Sequence, residues 1–474
     1  KLEPLGKLEL LNIVAGKTRD YFEIAGTDHL TGKALYQWVE SLHILGDVNI
    51  SKNNYTEAES YFKQTKTALE HALKSDEADE NKEKLLELTM LANYWLGYSA
   101  YLQLDYAKAE PFLTLYLYYA KKLFLLYPKV EWQLEQSYAL NNLGSLAEKN
   151  NQLDFASDFF EQSAQIKVIL LQTQPNNYTI RADLADTRSW QSNIQAKIGK
   201  LSKAIQYSHE ALNQIKSVHA TQDDYKLLED IIILEHKISL LYYDHGDLIN
   251  AEFHSNAAQK NVIQLINNDT ENYVFKKDLI WSYILSVQIF FNQHKLDKTL
   301  IYIEKARNLI NQFNHSIAKA TAKQNKSIIK ANIYLLQYQA RTMLLLKQNN
   351  SALVAISEAI QLFKMHLSKT TKTAFYARIA LTRIDILNSF NAADNVIITR
   401  ELGELKALLE TQLQSPAPNY QTLSIYSTLI TFMQQFPANK ALLFNKQWLK
   451  LYQQSDYNIP DHSIISSMDI NNNK

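Results

Sequence analysis

The chain has 474 residues, balances 49 Lys+Arg against 49 Asp+Glu, and contains no cysteine. With 46% hydrophobic residues it has ample core material, while 10 Gly and 8 Pro are too few for the turns of a sandwich, barrel or doubly wound α/β fold. Zero net charge argues against a general nucleic-acid binder, and the absence of cysteine removes disulfides, thiolate metal sites and a cysteine nucleophile.

In chain order, residues 1–30 read as an N-terminal cap or a linker from an upstream module, with one amphipathic helix after Pro4 running to Ile24. Because the chain opens on Lys1 rather than Met, a longer precursor is expected. Gly16-Lys17-Thr18 mimics the end of a phosphate loop, but Leu11 stands where the motif needs glycine.

Residues 31–370 carry an internal repeat of about seven hairpins. Leu45-Gly46, Leu96-Gly97 and Leu143-Gly144 are each followed, 12 residues after the glycine, by Ala58, Ala109 and Ala156, and four residues further on by Phe62, Leu113 and Phe160. With the alanine as ruler the series continues through Ala204, Ala251, Thr299 and Ala352, at steps of 51, 47, 48, 47, 48 and 53 residues. Small residues at the glycine and alanine positions are expected to face each other across two antiparallel helices, with the larger apolar side chain filling the space beside them. Asn53-Asn54, Asn150-Asn151, Gly199-Lys200, Gly246-Asp247 and Asn349-Asn350 mark turns just before the alanine-anchored helices, because Gly and Asn tolerate the left-handed conformation that ends a helix. The charged run Ser75 to Lys84 reads as a solvated connector, and the apolar run Leu279 to Phe291 as a deeply buried helix too short and too interrupted to span a membrane. Residues 371–454 are expected to be C-terminal helical capping repeats, broken at Ser415-Pro416-Ala417-Pro418, and residues 455–474 a frayed tail.

This relation of Leu-Gly, Ala and Phe resembles the tetratricopeptide repeat over Trp38 to Leu367. The resemblance implies an all-α, right-handed α-α superhelix of antiparallel hairpins. The period departs from it: the usual unit is about 34 residues and this one is near 48, so longer helices are expected. The segment Ala139-Leu140-Asn141-Asn142-Leu143-Gly144 is similar to the kinesin-light-chain style of unit, whose asparagines hold a peptide main chain.

No constellation for chemistry survives inspection. Gly-x-Gly is missing, Asn213 stands where a zinc-protease helix beginning at His209-Glu210 needs its second histidine, and Ala147 stands where a nucleophile elbow needs glycine. His236, His245 and His254 read as exposed or groove histidines and Asp183/Asp186 as ordinary helix-surface spacing. No catalytic, cofactor or metal residue is assigned, and the chain is read as a non-enzyme.

In such solenoids the first helix of each hairpin lines the concave face. The 3.6-residue period then selects Tyr94, Tyr98 and Tyr101, then Asn141 and Ser145, Ser189 and Asn193, and further along His236, Gln288 and Arg341. Asn142 joins them through the resemblance, and Lys149 and Lys197 edge the band. Tyr suits binding surfaces and Asn amides can pair with an extended peptide backbone; the competing reading makes the tyrosines helix packing. The expected partner is a protein or extended peptide, with no nucleic acid and no membrane insertion. The opening Leu2 to Leu11 with Tyr21-Phe22, and Leu184 to Trp190, also resemble repeat regions behind a membrane anchor in large bacterial signalling proteins. That implies a sensing or recruiting half, outside the cytoplasm rather than within it. The alternative is a structural or oligomerisation module whose groove is filled by its own N-terminal helix or by another copy.

Overall fold

The computed structural model describes residues 5–27, 30–74, 82–222, 224–316, 322–368, 373–390, 395–414, 420–433 and 446–458. Among the described residues every regular element is a helix. After α1 (Leu5–Ala25) come seven hairpins. They are α2 (Gly32–Ser51) with α3 (Tyr55–Ala72), α4 (Lys82–Leu102) with α5 (Tyr106–Leu126), and α6 (Val130–Lys149) with α7 (Leu153–Thr173). Next are α8 (Tyr178–Lys197) with α9 (Leu201–His219), α10 (Tyr225–His245) with α11 (Leu248–Asn268), α12 (Tyr273–Asn292) with α13 (Leu296–Ser316), and α14 (Ala322–Leu345) with α15 (Asn349–His366). Four further helices follow: α16 (Thr373–Ser389), α17 (Asn395–Leu413), α18 (Tyr420–Met433) and α19 (Lys446–Gln453). The long period lies in the helices, which in α4 through α13 run 19 to 21 residues. From α1 to α7 and again from α9 to α19 each helix packs on the next, and the chain forms two compact units, Lys1–Gln191 and Ser192–Lys474.

One turn joins the two helices of all seven hairpins. Its left-handed residue is Asn53, Leu104, Asn151, Gly199, Gly246, His294 or Lys347, each five before the ruler position. The N–H of the following residue donates to the carbonyl five before it, Asn54 to Asn49, Asp105 to Ala100, Gln152 to Ala147, Lys200 to Gln195, Asp247 to Tyr242, Lys295 to Phe290 and Gln348 to Met343, at 2.8–3.0 Å. This is the Schellman closure, which satisfies the carbonyls that a helix end leaves open. Asp105 and Asp247 then cap the next helix through their carboxylates. In the seventh hairpin the turn falls at Lys347, and Asn349 already begins α15, two residues from where the asparagine pair placed it.

The ladder of small residues packs differently from the expectation. Each glycine is covered by the large side chain sixteen residues later rather than by the facing alanine. A Cβ on Gly46 would stand 2.3 Å from Phe62 Cε1, on Gly97 2.7 Å from Leu113 Cδ2, and on Gly144 2.9 Å from Phe160 Cε1. Where the small residue is Ser192, its hydroxyl meets the Ser208 hydroxyl at 2.7 Å, so a buried hydrogen bond replaces the ring-on-glycine contact.

Other expectations are adjusted locally. Lys82 to Lys84 belong to α4, while residues 75–81 of the charged connector and the break at 415–418 lie outside the described residues. Gly16 sits in mid-helix in α1, with no loop around it. The apolar α12 is buried on nearly all sides by Ile303, Ala331, Leu335 and their neighbours, and no helix of the described residues is long and apolar enough to cross a membrane. Residues 455–458, assigned to the frayed tail, are held by hydrogen bonds to the α8–α9 and α10–α11 turns; 459–474 lie outside the described residues.

Candidate peptide-binding face

In the first unit one side of α4 carries a half-buried aromatic stack. Trp95 lies flat on Phe62 (5.6 Å, 13°) and meets Tyr98 edge-on, while Tyr94 and Tyr98 stack at 5.8 Å and 12°. Tyr94 also leans on Tyr116 at 5.3 Å, and burial, followed by the charges of Tyr98, Glu135 and Asp47, pushes its phenol up to about 12. Tyr94 is therefore chiefly packing. Tyr98 is half-buried at the outer end of the stack, and Tyr101, half-buried one turn on, leans on Tyr106 at 5.6 Å. The hydroxyls of Tyr98 and Tyr101 make no hydrogen bond among the described residues.

The asparagine band is more committed. Asn141 donates from Nδ2 to Thr187 Oγ1 at 3.1 Å, tying α6 to α8, and Asn142 donates to the Tyr138 carbonyl of its own helix at 2.8 Å. Tyr138 donates to Asp183 Oδ2 at 2.5 Å, so Asp183 is a half-buried tie between helices and only Asp186 is the exposed surface acid expected of the pair. Sequence reasoning missed the residue at the centre of this network. Lys167 of α7 is fully buried and its Nζ donates to Ser163 Oγ at 2.8 Å and Thr187 Oγ1 at 3.0 Å. Burial pushes its ammonium down to about 8, against the pull of Asp183 and Asp186. Its position seven residues before the interhelix Gln174 gave no signal, because lysine on a helix usually reads as a solvated face. Beside this network Ser145 and Ser189 are half-buried and Lys149 is exposed at the end of α6. Ser145 and Lys149, with Tyr98 and Tyr101, can offer hydroxyls and a charge to a ligand.

The selected residues of the second unit behave differently. Asn193 is half-buried and Lys197 exposed. His236 is bonded through Nε2 to Ser282 Oγ, tying α10 to α12, and burial lowers it to about 4. Gln288 and Arg341, placed on the groove by the helical period, are enclosed at 8% and 4% exposure. The Arg341 guanidinium lies over the Phe291 ring at 4.4 Å, since the apolar α12 draws α14 tightly against it. Of the three histidines read as exposed or groove residues, His236 and His245 are half-buried, while His254 is buried and bonded through Nδ1 to Glu235, which also accepts from Lys216 at 2.7 Å. Away from this face, a cavity of about 580 Å³ lies between the end of α1 and the α2–α3 hairpin, lined by Glu23, Trp38, Gln64 and His71.

No family model matches the chain, and no curated protein matches it. Solved structures do. The apo form of RapI aligns over 88% of this chain and 96% of its own, with a TM-score of 0.52 at 10% identity. The chain is a tetratricopeptide-like α-solenoid. Two further structures are similar at lower scores: the PH0952 signal transduction ATPase with a tetratricopeptide repeat sensor from Pyrococcus horikoshii (81% of this chain, 54% of that one, TM-score 0.46, 12% identity) and the apo quorum sensor NprR from B. thuringiensis (88% and 96%, TM-score 0.43, 14% identity). The tetratricopeptide-like fold explains why first helices of neighbouring hairpins meet, as Asn141 with Thr187, His236 with Ser282 and Trp281 with Ser327 do at a spacing of 46 residues.

Proposed function

We propose that this tetratricopeptide-like chain is a non-enzymatic scaffold that holds an extended peptide or a partner protein against the first helices of its second and third hairpins. In a larger bacterial signalling protein it would be the sensing or recruiting part. The observation that carries the reading is Tyr98: a half-buried ring, held rigid by stacking on Tyr94 and by the edge of Trp95, whose hydroxyl makes no hydrogen bond among the described residues. A ring already immobilised contributes contact area and a hydrogen bond without a further ordering cost. Tyr101 and Ser145 extend the face, and Lys149 adds a positive edge. Asn141, engaged with Thr187 and through it with Lys167, supports the floor rather than meeting the ligand.

Peptides selected on the intact chain from a displayed random library test this. They are expected to lose at least about tenfold in affinity on Tyr98→Ala, a step of about 1.4 kcal/mol, with the helical circular dichroism unchanged. A selected set that binds Tyr98→Ala and Ser145→Arg as well as wild type would move the site off this face.

A further inference from the structure

The second unit already contains an extended segment docked on the solenoid. After α19 the chain turns at Gln454 and Ser455 and runs without regular structure through Asn458. The N–H of Asp456 donates to the Gly199 carbonyl at 2.9 Å, and the N–H of Asn458 to the Asp244 carbonyl at 2.8 Å. Two residues apart, they bond to two different hairpin turns, the alternation by which an extended peptide gains main-chain affinity from a surface. Between them Tyr457 is the anchor. Its hydroxyl donates to the Ala196 carbonyl at 3.0 Å, its ring stacks on Tyr420 at 5.0 Å and 2°, and it packs against two apolar clusters, one that holds Leu201 and Leu241 and one that holds Tyr243 and Leu285. Tyr420 closes the side by donating to the Ile198 carbonyl at 3.3 Å.

The turns fit this segment. Helix α9 has Lys200 at its N-cap, with no side-chain cap of its own, and Asp456 Oδ2 accepts from the Ser202 N–H at 3.2 Å. A carboxylate from 254 residues away thus takes the place of the missing cap and meets the positive end of the helix dipole. Gly199 and Gly246 supply both the left-handed turn and room. A Cβ on Gly199 would stand 2.6 Å from the Tyr420 ring, and one on Gly246 2.7 Å from Asn458 Nδ2.

We propose that the turns of the fourth and fifth hairpins form a binding site for an extended peptide of the pattern acidic–tyrosine–asparagine. The chain fills the site with its own Asp456-Tyr457-Asn458, and a peptide of the same pattern in trans exchanges with it. An acid caps α9, a tyrosine enters the pocket between α8 and α12, and an amide lies on Gly246. The site is separate from the Tyr98 face, so either stands or falls without the other.

The test uses the full chain and a labelled synthetic peptide of residues 453–458 with blocked ends. Tyr457→Ala, which empties the pocket, is expected to bind the peptide saturably and at least about tenfold more tightly than wild type, because the tethered segment competes at an effective concentration in the millimolar range. The same peptide with its tyrosine replaced by alanine is expected not to bind. Equal binding to wild type and variant, or no saturable binding to a folded Tyr457→Ala chain, overturns the proposal. A second measurement needs no variant. Several millimolar unlabelled peptide added to wild type is expected to speed hydrogen exchange at the Asp456 and Asn458 amides several-fold, and an unchanged rate overturns it.

Discussion

Lys167 makes a heavy demand for a single residue, being a fully buried lysine. A buried ammonium is tolerated here because two hydroxyls, Ser163 and Thr187, accept from it while the Asp183 and Asp186 charges lie nearby. Both hydroxyls keep other bonds without it, Ser163 to the Ser137 carbonyl and Thr187 to the Asp183 carbonyl. The sign of the pH effect follows from the lowered value. Between about 8 and 10.5 the unfolded chain binds the proton and the folded chain does not, so stability rises with pH through that window. Lys237, lowered to about 8 by burial, adds to the same rise. Replacing Lys167 by Met is therefore expected to be neutral or stabilising near neutral pH. It is also expected to remove about 2 kcal/mol of the gain that wild type shows between about pH 7.5 and 9.5. Urea midpoints of the two proteins at those pH values check it; an equal gain in both would mean that Lys167 is not the group being neutralised.

At the scale of the element, the hairpin is defined by one turn and one contact. The turn needs a left-handed residue, and the chain meets that need with glycine, with asparagine, and three times with Leu104, His294 or Lys347. Turn composition therefore marked some hairpins and missed others, while the alanine five residues on marked nearly all of them. The contact needs the absence of a Cβ. Gly46 lies under Phe62, whose ring is itself held between Trp95 and His43, so the ring has nowhere to retreat. Gly403, within α17, has nothing within 4 Å of where a Cβ would stand. The same substitution should then act in opposite directions. Gly46→Ala is expected to destabilise by about 2 to 3 kcal/mol through overpacking, and Gly403→Ala to stabilise by about 0.5 to 1 kcal/mol through helix propensity. Thermal melts of the two variants decide it, and a gain at both positions would show that the Phe62 ring moves aside.

At the scale of the whole molecule, each unit holds a half-buried histidine that burial keeps neutral. His43 in the first and His236 in the second are both lowered to about 4, by burial above all. Below about pH 6.5 the unfolded chain protonates these rings and the folded chain does not, so stability is lost as pH falls from about 6.5 to 4. The half-buried carboxylates Glu135 and Asp278, raised by burial, act in the opposite sense at the acid end. The clean measure is therefore a difference. Wild type is expected to lose about 3 kcal/mol more than His43→Leu over that interval in urea unfolding. Parallel losses would mean that His43 is already wet in the folded chain.

Much of the fold was legible without coordinates, since low glycine and proline, the apolar period and the recurring alanine are local properties of helices and of the hairpin turn. The candidate face was legible in part. Tyr98 and Ser145 are half-buried on the side of the helix that the period selects, whereas Gln288 and Arg341, which the same rule placed on the groove, lie in the interior. Periodicity states which residues share one side of a helix; what covers that side depends on how closely the next hairpin approaches, and the apolar α12 draws α14 over it. The sequence by itself determined an all-helical repeat of hairpins near 48 residues long, because those features act over a few turns of chain. Only the tertiary structure decided that Lys167 is buried, that Asn141 is spent on Thr187, and that Asp456 caps a helix 254 residues before it. A contact such as that of Asp456 with α9 leaves no periodic trace, and Lys167, Asn141 and Asp456 are side chains that, read locally, belong on a solvated surface.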